Sequence, residues 1–286
     1  MPPDPDKWTF GTHTLDCSRP VLMGVINTTP DSFSDGGEFF DPSVAVSHAR
    51  QLVDDGADIL DIGGESTRPG SESVPVDEEL RRVIPAIEGI RGAGVDVPIS
   101  IDTRKLKVAR KAVDAGASIV NDITALRDDP DIADFIAQKR LGVVLMHMLG
   151  TPRMMQKDPT YSDVIAEIGE FFDERMNFAL GRGIPGENIV LDPGIGFGKR
   201  LEHNLRIMNE CGSWLKFGRP ILIGPSRKRF IGELLDVDVT DRLYGTIGAC
   251  VASLASGARI FRVHDVRAVR DALNVAFSIM KNDRLD

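Results

Sequence analysis

Six residues of this chain, Asp102, Asn121, Asp192, Lys228, Arg262 and His264, are of types that bind or do chemistry, and they share a local setting. Each stands at or just after the end of a short apolar, β-branched run: PISID, SIVND, NIVLD, PILIGPSRK and RIFRVH. Asn27 closes a seventh position of the same kind, VLMGVIN. Asp102 and Asp192 offer acceptors, and Asn121 offers an acceptor and donors. That set suits the edge of a flat heterocycle with several N–H groups, such as a pterin or a guanine-like ring. Lys228, Arg262 and His264 bring cationic or donor groups, which suit phosphate or diphosphate. The carboxamide oxygen of Asn27, together with phosphate oxygens, suits Mg2+, an ion that keeps waters and takes few protein ligands. A buried polar group without a partner costs about 1–3 kcal/mol. One or two such groups are ordinary, but a whole ring of them at strand ends reads as a substrate pocket.

The elements that position this ring follow from periodicity. Eight apolar runs read as strands buried on both faces: 21–26, 58–62, 98–102, 118–122, 143–147, 188–192, 220–224 and 259–263. Amphipathic, helix-period segments lie between them at 42–57, 77–94, 107–117, 131–142, 161–183 and 242–258, and Val266–Met280 gives a last helix. Several end in Gly-Ala just before the next strand, which fits a helix C-cap and a short loop. Eight alternations in 286 residues predict a (β/α)8 TIM barrel, one domain over 1–286. An open doubly wound sheet is the competitor, but no G-x-G-x-x-G turn follows the first strand. The stretch WTFGTHTLDCSR (8–19) is expected to form a short N-terminal hairpin closing the barrel bottom. Catalytic groups in such barrels sit at the C-terminal strand ends, where the ring stands, and phosphate favours the later loops, where Ser226, Arg227, Lys228, Arg262 and His264 fall.

Composition removes other classes. A formal net charge of −9 argues against a general binder of nucleic acid or anionic membranes. Three scattered cysteines, Cys17, Cys211 and Cys250, read as free thiols rather than a disulfide or metal framework. No stretch has the length of a membrane span, and MPPDPDKWTF lacks the basic and apolar regions of a signal peptide, so a cytoplasmic protein is expected.

The run of segments MGVINTTPDSFSDGG, GGESTRPGS, IDTRK, VND, LMHMLGTPRMMQ, LDPGIGFGK, GPSRKRFIG and RVHDV, in order from about residue 20 to 265, resembles the motif series of the dihydropteroate synthases. One departure is Leu149, where that family often carries a polar residue. The resemblance implies an enzyme that joins 6-hydroxymethyl-7,8-dihydropterin diphosphate to 4-aminobenzoate, giving 7,8-dihydropteroate and diphosphate in folate biosynthesis with Mg2+. It implies that Asp102, Asn121, Asp192 and Lys228 hold the pterin, and that Asn27, Arg262 and His264 hold diphosphate and metal. It implies that Thr67, Pro69, Phe197 and Lys228 border the aminobenzoate slot. It also implies a homodimer and sensitivity to sulfonamides, which mimic aminobenzoate.

The chemistry is consistent with a dissociative, SN1-like substitution. Diphosphate leaves, Asp102 favours positive charge on the pterin, and the amine attacks with no enzyme nucleophile. NTTPDSFSDGG, too polar for core, then reads as a lid: Phe33 covers the aminobenzoate, Asp35 pairs with Arg68 of the loop 63–75, and closure excludes water that would capture the cation. Asp102, Lys228, Asn27, Phe33, Asp35 and Arg68 are therefore the expected catalytic set.

Other residues have plainer readings. His147 is expected to be a satisfied inner-rim histidine, Glu65 and Asp122 to be supports, and His13, His48 and His203 to lie outside the site. Arg229 meets the aminobenzoate carboxylate or is a surface charge. Two other functions are possible for such a chain. A pterin-dependent methyltransferase domain would share the Asp/Asn/Asp set but needs no diphosphate site. A catalytically silent paralogue would show erosion of the lid or diphosphate residues, and none is evident.

Overall fold

The computed structural model describes residues 4–28, 42–66, 71, 73–151 and 154–282. An antiparallel hairpin, β1 (Lys7–Phe10) and β2 (His13–Asp16), comes first. Eight parallel strands follow: β3 (Val21–Asn27), β4 (Ile59–Gly63), β5 (Ile99–Asp102), β6 (Ile119–Asp122), β7 (Gly142–Met146), β8 (Ile189–Asp192), β9 (Leu222–Ile223) and β10 (Ile260–Val263). Their order is β8-β7-β6-β5-β4-β3-β10-β9. A parallel bridge between Leu191 and Ile221 brings the two edges together, so the sheet closes into the expected (β/α)8 barrel. Each expected run coincides with a strand to within two residues at either end. PILIG shrinks to two residues, because Pro220 has no N–H to donate; its carbonyl accepts instead from Leu191 N at 3.1 Å.

The connecting helices among the described residues are α1 (Pro42–Asp54), α2 (Val76–Gly92), α3 (Leu106–Asp114), α4 (Ile132–Lys139), α5 (Val164–Gly181), α6 (Leu201–Glu210), α7 (Arg229–Leu235), α8 (Leu243–Ala255) and α9 (Val266–Lys281). The Gly-Ala endings work as turns: Gly56, Gly116 and Gly257 have φ of +99°, +120° and +109°, values that L side chains avoid. Two helices have too few apolar positions to announce themselves. RFIGELL buries only Phe230 and Ile231, and LEHNLRIMNE buries only Asn204, Ile207 and Met208.

The barrel has two cores. Outward strand residues such as Leu60, Ile62, Ile101, Val120, Leu145, Leu191 and Phe261 pack under the helices. Inward residues Val21, Met23, Ile59, Ile119, Val144, Val190, Leu222 and Ile260 form a separate apolar layer that the hairpin's Trp8 and Phe10 seal from below. Trp8 Nε1 donates to the Asn188 carbonyl at 2.8 Å, and Asn188 Nδ2 donates to the Leu141 carbonyl at 2.8 Å. Gly142 makes room for this plug, since a Cβ there would lie 3.0 Å from the Trp8 ring. Strand side chains alternate faces, so the next inward position lies two residues further on. There the sequence turns polar: Ile59 leads to Asp61, Ser100 to Asp102, Ile119 to Asn121, Val190 to Asp192 and Ile260 to Arg262. The apolar layer is thus the floor of a polar pocket at the C-terminal rim.

Candidate active site

Arg262 sits among the acceptors of this pocket. Its Nε donates to Asp61 Oδ2 at 2.6 Å, and its NH2 donates to Asp102 Oδ2 at 3.0 Å. Asp61 is fully buried and also accepts from Asn121 Nδ2 at 3.3 Å. That contact commits the Asn121 amide nitrogen to the wall and leaves its carbonyl oxygen as the atom to accept from a ligand. Strand register sets the spacing of the rim: Asn27 pairs with Gly63, Gly63 with Asp102, and Asp102 with Asn121. Gly63, without a side chain, separates the Asn27 end from the Asp102 end.

Burial shapes the charges. It pushes the Asp102 carboxyl up to about 7, with Arg262 pulling it down and Asp61 adding to the rise. It pushes Asp192 up to about 6, opposed by the Gly194 N–H, which donates to Asp192 Oδ1 at 2.7 Å, and by Lys228. Lys228 is drawn down to about 8 by burial and by Arg262, with Asp192 and Asp102 opposing. Its Nζ stands 4.3 Å from the centroid of the Phe197 ring. Phe197 belongs to an apolar wall with Ile123, Met146, Met148 and Met155. His264 is held down at about 3 by burial, then Arg262 and Arg227, so it is a neutral donor rather than a cation near neutral pH. Ser226 Oγ accepts from the His264 backbone N–H at 3.2 Å and lies 2.9 Å from His264 Nδ1. With the hydroxyl proton on Nδ1, the ring proton sits on Nε2.

Asp102, Asn121, Asp192, Lys228, Arg262, His264, Phe197 and Asn27 are therefore all at the rim or on its loops, Asn27 half-buried at the end of β3. Phe33, Asp35, Thr67, Arg68 and Pro69 lie outside the described residues. Two residues of the site go beyond the expected set. Asp61 hides inside DILDI, yet counting by two from the inward Ile59 reaches it. Lys199, the last residue of LDPGIGFGK, is buried against His147, with Nζ 3.0 Å from Nδ1.

The supporting residues have clear partners. Asp122 accepts from Thr124 N and Oγ1 and from Leu126 N at 2.7–2.8 Å, stabilising a loop in which Ala125 and Leu126 take φ of +51° and +65°. Glu65 accepts from Arg104 at 2.9 Å and from Lys105, which also holds the buried Glu79. His13 belongs to the hairpin, where it meets Phe10. His48 is on α1, and His203 packs edge-on against Tyr161. Arg229 is exposed and pairs with Glu233 at 2.7 Å. Leu149 presents its backbone to Gly198, where a Cβ would lie 2.9 Å from its carbonyl oxygen.

Among the described residues no group of three or more His, Cys, Asp or Glu could hold a metal. The pocket's donor set fits Mg2+ only as an ion shared with a bound diphosphate, through the Asn27 oxygen.

Comparison with known proteins agrees with this geometry. Residues 23–264 match the family model described as pterin binding enzyme. The chain is 46% identical over 264 residues to a dihydropteroate synthase of Synechocystis, covering 92% of this chain and 91% of the relative. It superposes on the Yersinia pestis dihydropteroate synthase solved with a sulfonamide drug with a TM-score of 0.91 at 40% identity, covering 96% of this chain and 99% of that one. It superposes on the Xanthomonas albilineans dihydropteroate synthase solved with 4-aminobenzoic acid with a TM-score of 0.89 at 44% identity, covering 96% and 98%.

Proposed function

The chain belongs to the dihydropteroate synthase family of pterin-binding enzymes, and on that premise we propose that its rim joins 6-hydroxymethyl-7,8-dihydropterin diphosphate to 4-aminobenzoate by a dissociative substitution. The observation that carries the reading is one cluster: Asp102, Asn121 and Asp192 converge as acceptors beside Arg262, Lys228 and His264. The pterin's N–H edge is bound by the Asn121 oxygen and the Asp192 carboxylate. The diphosphate is bound by Arg262 and by His264 Nε2–H. Asn27 would hold Mg2+ through its carboxamide oxygen, and the ion would supply positive charge to offset that of the leaving group.

As the C–O bond to diphosphate breaks, positive charge spreads into the pterin. Asp102, ionised, stabilises it through space. The aminobenzoate amine then attacks the methylene carbon along the wall formed by Phe197 and the Lys228 stem, forming the C–N bond and releasing one N–H proton to the departing diphosphate. Sulfonamides compete for the same slot.

The working form is a cytoplasmic homodimer of one 1–286 barrel domain. Support comes from an exposed apolar surface on the later helices, with Tyr244 82%, Val239 53%, Leu235 52% and Leu234 51% exposed. No helix among the described residues is long and apolar enough to cross a membrane. Calorimetric titration with the pterin diphosphate tests the substrate assignment. Binding that requires Mg2+ and is lost in Arg262→Ala is expected; equal binding without Mg2+ contradicts the diphosphate assignment.

A further inference from the structure

Lys199 is a charged group that the reaction does not use directly. Its side chain is 3% exposed, and its hydrogen-bonding neighbours are all neutral. Nζ donates to the Phe197 carbonyl at 2.9 Å, stands 3.0 Å from His147 Nδ1 and lies 3.4 Å from the His147 carbonyl. A buried ammonium without a carboxylate in contact is costly, so its placement calls for a use. The loop it serves is tightly fitted. A Cβ on Gly194 would lie 2.1 Å from the His147 carbonyl oxygen, and the His147 backbone N–H donates to the Asp192 carbonyl at 2.8 Å. Lys199 therefore joins the loop 193–199 to the end of β7, immediately behind both Asp192 and Phe197.

We propose that Lys199 is a positioning residue for the reaction: its ammonium fastens the 193–199 loop to the end of β7 and supplies positive charge that keeps Asp192 an acceptor for the pterin. This rests on the reading of Asp192 as a pterin ligand. Besides the Gly194 N–H, the groups that act on Asp192 are Lys228, Lys199 and Arg262, all cationic. Those that act on Lys199 are Asp192, which favours its charge, and Lys228, which opposes it; His147 touches it as a neutral ring. Burial draws Lys199 down to about 7. Its charge is therefore about half present at neutrality and nearly complete at pH 6, the range in which Asp192, raised to about 6, needs help to stay ionised. A neutral staple with the same hydrogen bonds would hold the loop but not the charge.

The test is the affinity of fluorescent 6-hydroxymethylpterin between pH 5 and pH 8, for wild type, Lys199→Met and Lys199→Gln, with a melting curve for each. Gln keeps a donor for the Phe197 carbonyl and removes the charge, so it reads the electrostatic part even where Met folds poorly. Wild type is expected to lose affinity as pH falls through about 6. In both variants the loss is expected about one pH unit higher, roughly a fivefold weakening at pH 6 that approaches tenfold at pH 5. An unchanged pH profile with only a lower melting temperature overturns the proposal and makes Lys199 a structural staple, while leaving wild-type pterin binding intact. Failure of wild type to bind the pterin at any pH removes the functional reading, and this inference with it.

Discussion

Arg262 spans two carboxylates at once, with Nε 2.6 Å from Asp61 and NH2 3.0 Å from Asp102. The same guanidinium is the proposed diphosphate ligand. Paired in this way it neutralises the acceptors; with substrate bound, it must share itself with the leaving group.

Removing it leaves the fully buried Asp61 and the largely buried Asp102 beside each other. Arg262→Met is expected to lose about 3–5 kcal/mol of stability in urea unfolding at pH 7, the usual cost of breaking one side of a buried pair. The deficit shrinks as pH is lowered. Asp102 stands near 7 in the wild type and rises further without Arg262, so above about 7 the variant's folded state takes up a proton that the wild type's does not yet hold, and the change is complete by about pH 6. A deficit that is constant from pH 9 to pH 7 contradicts this.

The pH dependence of kcat/KM for the pterin substrate follows from the same groups. Asp102, near 7, and Asp192, near 6, must be ionised, so activity falls as pH drops through those values. Lys228, drawn down to about 8, must be protonated, so activity also falls above that value. The expected profile is a narrow bell centred between about 7 and 8. Asp102→Asn removes the through-space stabilisation of the cation and is expected to lower kcat by about 100- to 1,000-fold. A full-strength Asp102→Asn variant would rule out its assigned role.

Ser226 orients a neutral histidine. Ser226→Ala frees the His264 ring to place its proton on Nδ1, away from the diphosphate. The expected loss is about 1 kcal/mol, roughly fivefold in kcat/KM for the pterin diphosphate, with the KM for aminobenzoate unchanged. Equal changes for both substrates would mean that Ser226 supports the fold rather than the His264 tautomer.

The plug at the opposite end makes a contrasting prediction. Trp8 is fully buried between the hairpin and the apolar floor. Trp8→Ala is expected to cost about 3–5 kcal/mol of stability and, in the protein that remains folded, to leave both KM values unchanged. A shift in the pterin KM would show that the floor positions the rim residues more tightly than this account holds.

The rim was largely legible in the sequence because strand ends are marked by an abrupt switch from β-branched to polar residues. Asp102, Asn121, Asp192 and Arg262 each stand at such a switch, and the pleat places them on one face. Asp61 escaped because it sits inside its strand, between Leu60 and Ile62, with Asp58 giving the run a second acid outside the barrel. Asp58 accepts from Leu22 N and pairs with Arg270, holding a helix to the barrel bottom. Only the phase of the alternation separates these two aspartates. Lys199 escaped for another reason: a lysine after a glycine-rich loop reads as surface charge, and its burial depends on the end of β7, more than 50 positions away in sequence. The neutrality of His264 was equally invisible, since it arises from burial and from Arg227 and Arg262 nearby.

The most direct measurement is formation of 7,8-dihydropteroate by the purified protein from the pterin diphosphate, 4-aminobenzoate and Mg2+, beside Asn27→Ala and Lys228→Ala. Product from wild type with stoichiometric diphosphate, and a large loss in both variants, is the predicted result. Tight pterin binding with no product would contradict the synthase reading and favour a catalytically silent pterin-binding protein.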